Sequence, residues 1–282
     1  RPRVAGVITA ATRVAAVIGH PVRHSLSPAL HNAGFASLGI DWVYTAFDVE
    51  DGDAGRALDA IRVFGLGGLS ITMPHKEAVA ALVDELDPAA AALASVNTVV
   101  PIGGGRLRGH STDGAGFIAS LEAHDVAIGG RRVGVVGAGA AGRAIVDAMA
   151  RGGAAAITIV NRSPEHARRA AELAGSVAVV GEVSALEACD VIVNTTSVGM
   201  GSSDLPFDVG VLHSDQVVAD IVYHPRRTAL LAAADAVGAR TVEGLGMLVH
   251  QAILQQRLWT GVSAEPSVLW AAAERELASR GQ

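Results

Sequence analysis

The chain has 282 residues, half of them apolar and only 18% charged, and carries a net charge of -6. That is enough length for about two domains with ample core. It excludes a disordered chain and argues against a broad basic surface for nucleic acid or anionic membrane. The single cysteine, Cys189, excludes an internal disulfide and fits a reducing compartment.

Residues 1–18 run from basic to apolar, faintly like a signal peptide, but Arg13 interrupts the apolar part. Residues 14–18 read better as a first strand ending at Gly19-His20-Pro21. No apolar run reaches transmembrane length, so a cytoplasmic protein is expected. The elements then alternate. Helix 27–38, strand 42–47, helix 52–63, strand 68–72, helix 74–85 and strand 98–101 come first, followed by a hairpin-type turn at Gly103-Gly104-Gly105. Helix 115–124 precedes a second series: strand 132–136, helix 141–152, strand 157–160, helix 164–174, strands 191–194 and 217–220, helix 228–237 and strand 240–242. Helices at 247–258 and 265–280 close the chain. This is the pattern of parallel α/β sheets, with a first boundary between Asp113 and Arg131.

Of the 22 Lys and Arg residues only Lys76 is a lysine. Arginine keeps its proton near neutral pH, whereas lysine can be tuned to give and take one. The lone lysine, in the first turn of a helix opened by Pro74, is therefore a candidate for proton chemistry. A biased composition leaving one lysine by chance is the plainer account.

Strand 132–136 runs into Gly137-Ala138-Gly139-Ala140-Ala141-Gly142 and then a helix, the dinucleotide fingerprint in its required setting. Gly137 permits the turn, Gly139 lets the backbone approach a pyrophosphate, and Gly142 allows close helix packing. At the end of the next strand an acid would hold the ribose hydroxyls of NAD. Asn161-Arg162-Ser163 stands there instead, and a guanidinium pairs with a 2′-phosphate, which points to NADP. Arg162 also reads as a surface arginine before a helix capped by Ser163. Thr195, Thr196 and Ser197 follow a buried strand where a cofactor crosses such a sheet, or form a plain turn. No group of Cys, His and carboxylates has metal-ligand spacing.

Ser25 and Ser27 stand beside a helix start, where hydroxyls cap the helix or hold a carboxylate. Asp113 reads as an N-cap or an acid, Asn97 as a buried turn residue, and Gln251 as a polar position on an amphipathic helix. The ordered series Ser25-Leu26-Ser27-Pro28, Thr72-Met73-Pro74-His75-Lys76, Asn97-Thr98, Thr112-Asp113-Gly114, the glycine loop, Asn161-Arg162-Ser163, Asn194 to Gly199, Asp220 to Tyr223 and Gly244 to Gln251 resembles the shikimate dehydrogenase family. The resemblance covers nearly the whole chain, from about His20 to Trp259.

The resemblance implies a two-domain α/β protein, with a substrate domain at 1–113 plus 247–282 and a Rossmann NADP domain at 114–246. It also implies a small-molecule substrate and NADP-dependent interconversion of 3-dehydroshikimate and shikimate. In this implied arrangement Ser25 and Ser27 hold the substrate carboxylate, while Thr72, Asn97 and Gln251 hold the ring. Lys76 and Asp113 form the catalytic pair, and Tyr223 and Gly246 line the nicotinamide junction. Quinate is the alternative substrate. A non-catalytic NADP sensor is the reading from another class. Two departures stand out: Ser111 where the family usually has Asn, and His166 where it often has Lys or Arg. The second allows some use of NAD. Oligomeric state stays open between monomer and homodimer, with no nucleic-acid or membrane partner expected.

Overall fold

The structure is a computed structural model and describes residues 8–280. The start of the signal-like stretch, residues 1–7, lies outside the described residues. By contacts the chain forms two units, residues 8–112 with 249–280 and residues 113–248.

The first unit holds β1 (Arg13–Gly19), α1 (Ser27–Ser37), β2 (Trp42–Asp48), α2 (Ala54–Phe64), β3 (Gly68–Ile71), α3 (Lys76–Leu82), β4 (Glu85–Leu86), α4 (Pro88–Leu93), β5 (Thr98–Gly103) and β6 (Arg106–His110). Its sheet has the order β2-β1-β3-β5-β6-β4. It is mixed rather than wholly parallel, because the glycine turn at 103–105 makes a hairpin and β5 runs antiparallel to both β3 and β6. All three of those glycines have positive φ, which glycine alone adopts without strain. The interior is apolar, with aliphatic Ile18, Leu58, Ile61, Leu69, Ile71 and Val99 in one cluster and Val17 with the aromatic Phe35 and Trp259 in another.

The second unit runs α5 (Asp113–Glu122), β7 (Arg132–Val136), α6 (Ala140–Arg151), β8 (Ala156–Val160), α7 (Pro164–Glu172), β9 (Ala178–Val180), β10 (Val191–Asn194), β11 (Val217–Asp220), α8 (Ala229–Ala236) and β12 (Arg240–Val242). Its six strands are parallel in the order β12-β11-β10-β7-β8-β9. Counted from β7, this is the doubly wound dinucleotide order, whose direction reverses between β7 and β10. Helix α9 (Gly244–Thr260) starts in this unit and ends in the first, and α10 (Pro266–Ser279) packs against α1. Asp113 and Met247, at the joints, go with the second unit for local reasons. Helix α5 lies on α6 so closely that a Cβ on Gly114 would stand 2.4 Å from the Ala144 carbonyl oxygen, and Met247 belongs to the core around β7.

Several boundaries differ from those expected. Pro74 does not open α3, which starts at Lys76 after a turn closed by the His75 N–H on the Thr72 carbonyl. Helix α2 starts at Ala54 because Gly52 sits at φ +90°. Residues 83–86 leave the helical path, and Glu85–Leu86 pairs with β6. Ser27 is the first helical residue and caps nothing, Leu26 being the N-cap. Asp113 is likewise the first residue of α5 rather than a residue before it. Helix α9 begins at Gly244, three residues early, so Gly246 is helical. Strands β4 and β9, of two and three residues, and helix α4, of six, are too short to show in the pattern, and β6 has a single large apolar residue, Leu107.

Candidate active site

Strand register brings the first unit's polar loops to one end of its sheet. β1 and β3 are parallel, with Ile18 opposite Ile71, so the loops to Ser25 and Lys76 leave side by side. β5 runs the other way and begins there: the Ile71 N–H donates to the Asn97 carbonyl at 2.8 Å, just before Thr98. β6 ends there too, where the Asn97 N–H meets the His110 carbonyl at 3.0 Å, three residues before Asp113. The Lys76 carbonyl accepts from the Val96 N–H at 3.0 Å, which sets the lysine's backbone beside Asn97. Ser25, Ser27, Thr72, Lys76, Asn97 and Thr112 therefore cluster at one sheet end. Gln251 joins them through its carbonyl, which accepts from the Thr112 hydroxyl at 3.5 Å.

Hydrogen bonds fix much of this cluster. Ser25 Oγ accepts from the Ser27 N–H at 3.2 Å. The Ser27 side chain bonds to Tyr44, whose hydroxyl donates to Ser70 at 2.6 Å. Burial pushes the Tyr44 hydroxyl well above its ordinary range, against the smaller effect of its bonds to Ser70 and Ser27. Asn97 is almost wholly buried, and its Nδ2 donates to Thr112 Oγ1 at 2.9 Å. Sequence reasoning missed Tyr44, Ser70 and Gln255, and quoted Thr112 only as part of a motif, without a role. The available signal was the presence of polar side chains inside apolar strands, and a second glutamine four residues after Gln251.

In the second unit the glycine loop leaves β7 at the reversal point beside β10. A Cβ on Gly137 (φ +106°) would lie 2.6 Å from Thr195 Oγ1, and one on Gly142 would lie 2.5 Å from the Gly137 carbonyl oxygen. These two glycines are required by the protein itself. Gly139 is not: it is exposed at the N-terminus of α6 and a Cβ there meets nothing within 4 Å. Close approach of a ligand phosphate to the helix N-terminus explains that glycine, so these residues fit a dinucleotide.

The other second-unit candidates divide by role. Thr195 Oγ1 donates to the carbonyls of Val136 and Gly137, and Thr196 Oγ1 donates to Asn194 Oδ1 at 2.7 Å. Both hydroxyls brace the loop, while Ser197 is exposed. Asn194 Nδ2 donates to Asp220 at 2.9 Å, and Asp220 also accepts from Thr228 and from the Val222 N–H, next to Tyr223. Burial raises the Asp220 carboxyl above its ordinary range, with these three bonds opposing. Asn161 Nδ2 donates to the Ser163 carbonyl, and Ser163 caps α7. Arg162 and His166 are exposed, with no acid at the end of β8 to repel a 2′-phosphate. Arg169 pairs with Glu165, and Arg168 donates to the Pro164 carbonyl. Gly246 is buried in the first turn of α9. Among the described residues no group of His, Cys, Asp and Glu could hold a metal ion, and no helix is long and apolar enough to cross a membrane.

Three family descriptions match in order. Residues 17–99 match a shikimate dehydrogenase substrate binding domain, 120–200 a shikimate/quinate 5-dehydrogenase, and 244–274 a shikimate 5′-dehydrogenase C-terminal domain. The NADP(+) shikimate dehydrogenase of Thermococcus kodakarensis is 44% identical over 271 residues, covering 94% of this chain and 97% of that one. A crystal structure of a shikimate dehydrogenase with NADP+ superposes at a TM-score of 0.91, with 34% identity over 97% of this chain and 99% of its own. The Thermus thermophilus shikimate 5-dehydrogenase with NADP(H) and shikimate superposes at 0.88, with 36% identity over 94% of this chain and 99% of its own.

Proposed function

The chain belongs to the shikimate dehydrogenase family, and from that premise we propose that it interconverts 3-dehydroshikimate and shikimate with NADP as hydride partner. The observation that carries the reading is the placement of the only lysine. Lys76 stands at the sheet end that also bears Ser25, Ser27, Thr72 and Asn97, a carboxylate- and hydroxyl-binding set around one proton donor.

The first unit binds substrate and the second binds NADP. Ser25 and Ser27 take the ring carboxylate. Ser27 turns its hydrogen from Tyr44 to the carboxylate, exchanging a neutral hydrogen bond for a charge-assisted one. Thr72, Asn97 and Gln251 hold the ring and its hydroxyls. In reduction the Lys76 ammonium faces the ring carbonyl oxygen, stabilises the charge that develops on it and gives it a proton; in oxidation it takes that proton back. Asp113 orients Lys76 and a substrate hydroxyl. The nicotinamide, when bound, supplies or accepts the hydride. Gly137, Ala138, Gly139, Ala140, Ala141 and Gly142 receive its pyrophosphate, Arg162 pairs with the 2′-phosphate, and Asn161 and Ser163 shape the turn that presents Arg162. Thr195, Thr196 and Ser197 form the loop beside the pyrophosphate, with Tyr223 and Gly246 at the nicotinamide end. We place the enzyme in the cytoplasm as a monomer or homodimer without nucleic-acid or membrane partners.

The shared shikimate/quinate description of residues 120–200 keeps quinate as a second reading. Turnover on shikimate and on quinate, each with NADP+ and NAD+, decides between them. Shikimate with NADP+ should give the highest kcat/KM. Preference for quinate would select the alternative, and NADP binding without turnover on either would select a sensor.

A further inference from the structure

Gln255 lies on α9 one turn after Gln251, on the same face, and is 2% exposed. Its Oε1 accepts from Ser70 Oγ at 2.9 Å and from His31 Nε2 at 3.1 Å. Its Nε2 donates to Thr98 Oγ1 at 2.9 Å and to the Asn97 carbonyl at 3.3 Å. These are all four hydrogen bonds an amide can make. A main-chain carbonyl only accepts, so the contact with Asn97 fixes which end of the amide faces which way.

The direction of every neighbouring bond follows. Ser70 gives its hydrogen to Gln255 and accepts from Tyr44 at 2.6 Å, and Tyr44 accepts in turn from Ser27. On the other side Thr98 accepts from Gln255 and donates to Asn97 Oδ1 at 2.8 Å. That oxygen also accepts from the Thr112 N–H at 2.9 Å. His31 is stacked on Tyr44 with ring centroids 4.2 Å apart, and burial pushes its pKa down to about 3 against the opposing bond to Gln255. It is therefore a neutral donor through Nε2, with a buried Nδ1 that meets no partner. One amide thus joins two arms, one ending at Ser27 and the other at Asn97. An apolar side chain would fill the same core space without the cost of desolvating an amide.

We propose that Gln255 is a positioning residue for the substrate: without touching it, Gln255 fixes the spacing between Ser27, at the carboxylate end, and Asn97, at the ring hydroxyls. This rests on the shikimate reading of the site. The effect belongs to the first unit's ligand and not to NADP.

The test is steady-state kinetics of Gln255→Met, which keeps length and apolar volume and removes all four bonds. The shikimate KM should rise about tenfold, with the NADP KM within about twofold. Thr98→Val cuts only the Asn97 arm and Tyr44→Phe only the Ser27 arm, so each should raise the shikimate KM less. Thr98→Val should add less on top of Gln255→Met than it does alone, because both remove the Gln255–Thr98 bond. An unchanged shikimate KM, an equal rise for NADP, or full additivity would overturn the proposal. If Gln255→Met does not fold, the two single-arm variants carry the same test. A readout independent of activity is the NMR signal of the Asn97 side-chain amide. It should shift and exchange faster in Gln255→Met and Thr98→Val, and unchanged signals would also overturn the proposal. Wild-type protein that oxidises no shikimate would instead sink the functional reading, and the NMR arm would still decide whether Gln255 holds Asn97.

Discussion

Arginine supplies every fixed side-chain cation of this chain except one, and the roles divide accordingly. Arginines pair with carboxylates at the surface, as Arg132 does with Asp190 and Arg106 with Glu85. Among the described residues Arg162 makes no such pair, and it stands exposed after β8, suited to a fork contact with a 2′-phosphate. Arg162→Gln should raise the KM for NADP by at least about tenfold while leaving that for NAD within about twofold; equal effects on both would remove the 2′-phosphate role. Lys76 and Arg162 stand out as candidates in the sequence because each departs from a local or compositional expectation. Tyr44, Ser70 and Gln255 do not. A tyrosine or serine in a strand and a glutamine in a helix are ordinary there, and only tertiary packing shows that they share one buried network.

At the scale of elements, glycines separate what folding needs from what ligand binding needs. Gly114 lets α5 lie on α6, with a hypothetical Cβ 2.4 Å from the Ala144 carbonyl oxygen and 2.8 Å from Ala148 Cβ. Gly139 has open space around its missing Cβ. Gly114→Ala should therefore cost roughly 1–3 kcal/mol of stability by overpacking. Gly139→Ala should cost under about 1 kcal/mol yet weaken NADP binding at least about tenfold. Urea unfolding and NADP titration check the pair, and a reversal of the two effects would contradict the assignment. Five of the six parallel strands of the second unit were readable from the alternation of short strand-like runs with helical stretches; β9, only three residues long, was not. β6 was not, because Arg106, Arg108 and His110 alternate with Leu107 and Gly109, and only the first of those two is large and apolar. Ser27 looked like a cap because Pro28 follows it, but its side chain is drawn to Tyr44 instead.

For the whole molecule, pH reports on the buried groups. His31 has a folded pKa of about 3 against an ordinary 6.5, so below pH 6.5 the unfolded chain takes a proton that the native chain refuses. The stability tied to neutral His31 is thus intact above pH 6.5 and lost as pH falls toward 3, by up to about 1.4 kcal/mol per pH unit. Asp87 and Asp190, whose carboxyls are held low, add losses of the same sign in acid. Replacing His31 by Phe should flatten the fall in unfolding free energy between pH 6 and 4; an unchanged slope would place the acid sensitivity elsewhere. The two units were visible in the sequence as two α/β series, each with its own polar loops. The mixed first sheet was only partly visible, since a single glycine turn announced its antiparallel strands. The account as a whole turns on one proton, and the most direct measurement is turnover of shikimate with NADP+ by wild-type and Lys76→Met protein, with substrate affinity measured separately by titration. The account predicts a loss in kcat of about 10²–10⁴-fold with shikimate affinity changed only a few-fold. Wild-type turnover in Lys76→Met would contradict it.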